Sequence, residues 1–213
     1  SACLVGSEMC IRDRDNVGAD LSRLSPRAPI YRPSSWLIFA DSDGVGQALA
    51  ERLRERRETC FIVSPGEAYK RSGQGHFWID PASPADLRQL LQETLSTNNP
   101  PCRGVIHLWS LEAAGPTEET TLASLHTARD LGTANVLLLV HELHNTSGSY
   151  AGTLSGGQVI QEFPRLWLVT RGAQAVGMEP ISIAQSPLWG LGRVIALEHP
   201  EFQCVRVDLE PGS

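Results

Sequence analysis

The stretch SSWLIFADSDGVGQALAERL, Ser34 to Leu53, decides the fold. Its WLIFA segment is a continuous apolar run, as a strand buried on both faces requires. A short polar turn follows, then GVGQALAERLRERRE, in which Val45, Leu49 and Leu53 recur near one helical face with charges opposite. Strand, glycine turn and helix in this order open a dinucleotide-binding sheet, where a pyrophosphate rests on N–H groups at the helix N-terminus. Gly44 and Gly46 can supply the tight turn and the close packing of helix on strand. The position just after the strand, where an early glycine would admit phosphate, holds Ala40 and Asp41. Two unit charges ~4 Å apart repel by about 4 kcal/mol at an effective dielectric of ~20, so Asp41 and Asp43 would oppose a diphosphate. Asp41, Asp43, Gly44 and Gly46 are therefore expected to form a vestigial turn that holds no cofactor.

The rest of the chain repeats the alternation. TCFIV (Thr59 to Val63), HFWID (His76 to Asp80), GVIHLWS (Gly104 to Ser110), PRLWLVTRGA (Pro164 to Ala173) and CVRVDLE read as further strands. Between them lie helical segments: PADLRQLLQETL with Ser83 as N-cap and Pro84 at the first position, ASLHTARDLGTANVLLLVHELHN, and PLWGLGRVIALEHP. Strands separated by helices imply parallel crossovers. The expected fold is α/β: a truncated Rossmann-like open parallel sheet of about six strands with helices on both faces.

Composition narrows the function classes. The 213 residues are 41% hydrophobic and 20% charged, with net charge −6, which argues against nucleic acid or an acidic membrane surface as partner. No apolar run approaches the ~20 residues needed to span a bilayer, and ANVLLLV (Ala134 to Val140) reads as a buried helix segment. Cysteines at 2, 10, 60, 102 and 204 form no CxxC pair or disulfide framework, so a reduced, cytoplasmic protein is expected. HELH (His141 to His144) has i, i+3 rather than the zincin i, i+4 spacing and no evident third ligand, so no metal is expected. Residues 1–33 read as a disordered leader and linker. Within residues 1–14, CLVGSEMCIRDR resembles translated sequencing-adaptor DNA; an ordinary leader is the other reading, and neither enters the fold.

Catalytic groups are hard to find. A short-chain reductase needs a Tyr-x-x-x-Lys pair, yet the chain has one lysine, Lys70, and no tyrosine among 31, 69 and 150 has a lysine four residues later. The second strand ends in Val63-Ser64-Pro65-Gly66, with no acid or arginine to read a ribose before Glu67. After the fifth strand come Thr170, Arg171 and Gly172 in place of a serine, and Arg171 reads as a sheet-end or interface residue rather than an oxyanion stabiliser. Ser124, His126 and Asp130 lie on one continuous helix and cannot form a nucleophile–base–orienter chain. Glu118 and Glu119 read as a solvated loop charge run.

SWLIFADSDGVGQALAERL, RGVIHLWSLEA, RLWLVTRGAQAVG and above all QSPLWGLGRVIALEHPEFQCVRVDLEP resemble the structural subdomain of modular polyketide synthase ketoreductases, across residues 34–213. The resemblance implies a first, Rossmann-like half that binds no nucleotide and braces a second half carrying NADPH and the catalytic residues. It implies that catalytic subdomain, in the same parent chain, as partner, and the acyl carrier protein indirectly. The parent reaction would be NADPH-dependent reduction of a β-keto thioester, with no catalytic residue carried over to this chain. The sequence is accordingly expected to be a fragment stopping before the second half. Gly190 and Gly192 are expected to allow close packing of their helix, with Trp189 and Leu191 either core or part of the contact with the other half. Two other readings stand beside this one: a stand-alone short-chain dehydrogenase/reductase-like enzyme, and a free-standing interaction module.

Overall fold

Strand β1 (Ser35–Phe39) sits at the centre of the sheet, paired in parallel with β2 (Thr59–Pro65) on one side and β5 (Cys102–His107) on the other. The computed structural model describes residues 33–73, 75–113, 120–146, 151–153, 159–161, 163–175 and 180–211, all within the unit Pro33–Ser213. The leader, Tyr31, Tyr150, Glu118 and Glu119 lie outside the described residues. Between β2 and β5 come β3 (Lys70–Ser72), β4 (His76–Ile79) and helix α2 (Pro84–Thr94). The order across the sheet is β3-β4-β2-β1-β5-β8-β9, where β8 is Arg165–Arg171 and β9 is Val205–Leu209. All neighbours are parallel except β3, which runs antiparallel to β4. The strand order reverses at β1 and β5, the doubly wound arrangement whose crevice opens at the carboxyl ends of those strands.

The sheet has seven strands against the expected about six, the addition being the short edge strand β3. Lys-Arg-Ser carries no apolar alternation, because an edge strand can leave its side chains in water. A separate antiparallel pair, β6 (Ala151–Thr153) with β7 (Val159–Gln161), was not anticipated either. The expected strand from Gly104 to Ser110 ends at His107, where Leu108 N–H donates to Phe39 O and the chain enters a 3-10 turn, Trp109–Glu112.

Side chains alternate across the pleat and make two unequal layers. Leu37, Phe39, Val105, Leu166 and Leu168 face α2, α4 (Asn135–Asn145) and α5 (Pro187–Glu198), whose Leu90, Leu139 and Ile195 complete the larger core. Ile38, Ile62, Ile106 and Val169 face the opposite way, toward α1 (Val45–Glu55). Helices therefore lie on both faces, as expected, but unevenly. Ser83 caps α2, accepting from Asp86 N–H at 3.2 Å, with Pro84 in the first turn. The long helix runs from Leu122 to Asn145 but widens to π geometry over Ala128–Ala134, between α3 (Leu122–Thr127) and α4. Within ANVLLLV, Val136 and Leu139 are buried while Leu137 is exposed.

The two glycines of α5 have different roles. A Cβ on Gly192 would lie 2.8 Å from Arg206 Cδ and 3.1 Å from Leu168 Cδ1, so the helix backbone rests directly on the sheet there. Around Gly190 there is open space, which corrects the expectation that both glycines permit close packing. Leu191 packs against the larger core, and Trp189 is half-buried, its indole N–H donating to Thr170 Oγ1 at 2.8 Å. Gly190→Ala should stabilise the fold by up to about 1 kcal/mol through helix propensity. Gly192→Ala should destabilise it by about 1–3 kcal/mol through overpacking, both read as shifts in the urea unfolding midpoint.

Candidate functional site

The crevice at the strand-order reversal is where a sheet of this kind binds its ligand, and here the chain fills it from within. Asp41, buried directly after β1, turns its carboxylate onto the first turn of α1. Oδ1 accepts from Gly46 N–H at 2.7 Å and Oδ2 from Val45 N–H at 3.1 Å. These amides are among the unpaired donors that a helix N-terminus offers to an anion. The carboxylate occupies them as a phosphate oxygen would.

The glycines make this geometry accessible. Gly44 has φ of +95°, the left-handed region, which ends the loop and starts the helix. A Cβ on Gly46 would fall 2.7 Å from Ala40 Cβ and 2.9 Å from its Cα, so only glycine lets α1 lie this close to the end of β1. The expected turn and packing roles are what the structure assigns them.

Neighbouring loop donors are also taken. Glu112, in the 3-10 turn after β5, accepts from Ser42 N–H at 2.5 Å and from Ser42 Oγ at 2.8 Å. Asp43 Oδ2 receives Arg171 Nη1 at 3.3 Å, tying the end of β8 to the loop. Arg171 is thus the sheet-end residue the sequence indicated. Glu112 was missed, because its contact spans 70 positions and the local sequence shows only one more acidic loop residue.

The remaining positions in the crevice serve structure. Ser64 at the end of β2 shares a 2.9 Å hydrogen bond with His76 Nε2, and Gly66 N–H donates to Ile79 O. Thr170 Oγ1 donates to Asp208 Oδ1 at 2.6 Å, while Asp208 also accepts from Ala173 and Gln174 N–H. Lys70 lies on the far edge strand over the Trp78 ring. Tyr69 donates to Glu93, and burial together with that carboxylate raises its phenol above the ordinary range, the reverse of an activated proton donor. Ser124 Oγ bonds back to Thr121 O and Asp130 pairs with Arg129, so the Ser124, His126 and Asp130 set makes no relay. A thioester-forming nucleophile needs a depressed thiol pKa. Burial instead raises Cys60 and Cys204 and pushes Cys102 up to about 12.

His107, at the end of β5, was not singled out by the sequence. Fully buried, it stacks on Phe39 and shares a 3.2 Å contact between Nε2 and Asn135 Oδ1. Asn135 in turn donates to Pro81 O at 2.8 Å, so α4, β5 and the loop after β4 meet at one polar knot. Burial lowers the imidazole pKa to about 4, against a smaller raising effect from Asn135.

Known proteins can be set against this geometry. A family model described as "Beta-ketoacyl synthase-like, N-terminal" matches residues 34–147. A phenolphthiocerol/phthiocerol polyketide synthase of Mycobacterium tuberculosis is 49% identical over 49 residues, which is 22% of this chain and 2% of that one. The chain spans 1 to 3% of the length of the curated polyketide synthases it matches. Among solved structures, an adenylation, ketoreductase and pseudo-Asub multidomain structure from a keto acid-selecting NRPS module aligns with a TM-score of 0.67 and 22% identity, over 84% of this chain and 14% of that one. A short-chain dehydrogenase/reductase from Serratia marcescens aligns with a TM-score of 0.53 and 16% identity, over 85% of this chain and 79% of that one. At these identities the structural likeness is one of fold, and that fold is Rossmann-like.

Asp41→Ala should destabilise the protein by about 2 kcal/mol, because two helix-end donors, that of Gly46 buried and that of Val45 partly so, lose a charged acceptor; Asp41→Asn should cost roughly half as much. Urea unfolding at neutral pH checks both. His107 predicts a second effect. Its folded pKa lies below the unfolded value, so its contribution is complete above about pH 6.5 and is lost as pH falls toward about 4. The free energy of unfolding should therefore rise from pH 5 to pH 7, and His107→Gln should flatten that slope.

Proposed function

The chain belongs to the beta-ketoacyl synthase-like, N-terminal family, and from that premise we propose that it is the non-catalytic, bracing half of a polyketide synthase ketoreductase. Its likeness to polyketide synthases in sequence, and to ketoreductase and short-chain reductase structures in fold, supports this reading. The observation that carries the finer reading is the Asp41 carboxylate seated on Val45 and Gly46 N–H. A dinucleotide would have to displace that carboxylate and then lie beside Asp41, Asp43 and Glu112, each a like charge.

On this reading the chain binds no cofactor and supplies no catalytic residue. NADPH and the proton donors belong to the partner half, which reduces the β-keto thioester presented by an acyl carrier protein. A second feature supports a bracing role. On the α1 face, the sheet over β5, β8 and β9 leaves an apolar groove of about 330 Å³ whose lining includes Trp36, Ile106, Trp167, Val169 and Val207. Apolar surface of this kind marks a docking face, and the partner half is its proposed occupant. Among the described residues no helix is long and apolar enough to cross a membrane, and cysteines without a disulfide fit a cytoplasmic setting.

The fold that resembles 79% of a short-chain reductase also keeps open the reading of a stand-alone nucleotide-binding enzyme. Calorimetric titration of the 213-residue chain with NADPH separates the two. The bracing half should show no saturable binding, whereas a micromolar Kd would overturn the proposal. Turnover of a β-keto thioester by the chain alone, abolished by substitutions at Gly44 and Gly46, would establish the stand-alone enzyme instead.

A further inference from the structure

Away from the crevice, three side chains able to ligate a metal converge at the opposite corner of the larger layer. They are His144 in the last turn of α4, His199 just after α5, and Glu201 in the 3-10 turn Pro200–Phe202. Glu201 Oε1 lies 3.1 Å from His199 Nδ1 and 3.6 Å from His144 Nδ1, and the two imidazoles pack edge to face at 5.3 Å. One ligand atom from each residue lies within 4.8 Å of the others. We propose that His144, His199 and Glu201 bind a divalent transition metal of the zinc class, which clips the end of α4 to the corner between α5 and β9.

The two separations at Glu201 suit a coordination polyhedron. Ligands ~2.0–2.2 Å from a tetrahedral zinc stand about 3.4 Å from one another, and the two separations at Glu201 bracket that value. A simple ion pair needs one imidazole on a carboxylate oxygen; here two Nδ1 atoms meet the same one. Two imidazoles with one carboxylate favour zinc-class ions over magnesium or calcium, which prefer all-oxygen sets. The corner is also held in place. Phe202 is fully buried, and the rings of His199 and Phe163 pack on it. His144 is exposed, which leaves a fourth ligand position open to water.

This site departs from the expectation of no metal. The local HELH pattern pointed at His141, which instead faces Asn145 and Glu142 along its own helix. The second imidazole comes from the end of a different helix, and nearest-neighbour spacing could not reveal it.

Zinc titration of the metal-free 213-residue chain, with Co²⁺ as a spectroscopic stand-in, tests the proposal. One equivalent should bind with a Kd of about 10 μM or tighter and raise the Tm, and Co²⁺ should show the intense visible bands of a tetrahedral site. His144→Ala, His199→Ala and Glu201→Gln should each weaken binding by about tenfold or more, while His141→Ala leaves it unchanged. Glu201→Gln preserves side-chain shape, so its effect reads ligation apart from folding. Absence of saturable uptake below about 100 μM, or uptake that survives His199→Ala and Glu201→Gln, would overturn the site.

Discussion

One carboxylate organises the centre of this molecule. Asp41 stands where the first strand gives way to the first helix and satisfies the donors of Val45 and Gly46 from within the chain. Everything at the carboxyl edge is arranged around that bond. Gly44 and Gly46 let the helix come close enough to be capped, Glu112 secures Ser42, and Arg171 reaches Asp43 from the end of β8. A charged hydrogen bond to a buried donor is worth roughly 1.5–3 kcal/mol, so the same contact that closes the ligand position also holds α1 to the sheet. The capping bond and the packing of α1 on the sheet have one physical origin.

The two layers divide labour accordingly. The face carrying α2, α4 and α5 holds most of the aromatic and leucine core, with Trp109 and Phe39 packed edge to face at 5.0 Å. Across that layer, Arg88 on α2 makes two hydrogen bonds of 2.9 and 3.0 Å to Glu142, which is buried on α4. The α1 face is thinner. Gly104 lies between Trp36 and Arg165, and a Cβ there would lie 2.7 Å from the Trp36 ring, so the indole lies over the glycine backbone.

Much of this was legible in sequence. WLIFA, TCFIV and RLWLV are too apolar to be anything but strands buried on both faces, and the Ser83-Pro84 start of α2 carries its own capping chemistry. The aspartates of the glycine turn were read as repelling a phosphate. In the structure Asp41 does more than carry charge: its carboxylate caps the Val45 and Gly46 amides, which needs the backbone path that Gly44 sets. What sequence could not supply was long-range or polar. Glu112 meets Ser42 from across the crevice, His107 finds Asn135 only when β5 and α4 pack, and the π segment at Ala128–Ala134 has no proline to announce it. Gly190 and Gly192 look alike in the sequence, and only the position of Arg206 and Leu168 tells them apart.

The two margins of the sheet are not equivalent. On one side Lys70 and Arg71 sit on a three-residue strand running against the grain of all the others, with Arg71 paired to Glu93. Short and carrying Lys70, that border is a poor template for another strand. Where many copies crowd together, β-ribbon addition is left the opposite border, along Val205–Leu209, so the protein carries a built-in polarity against runaway stacking.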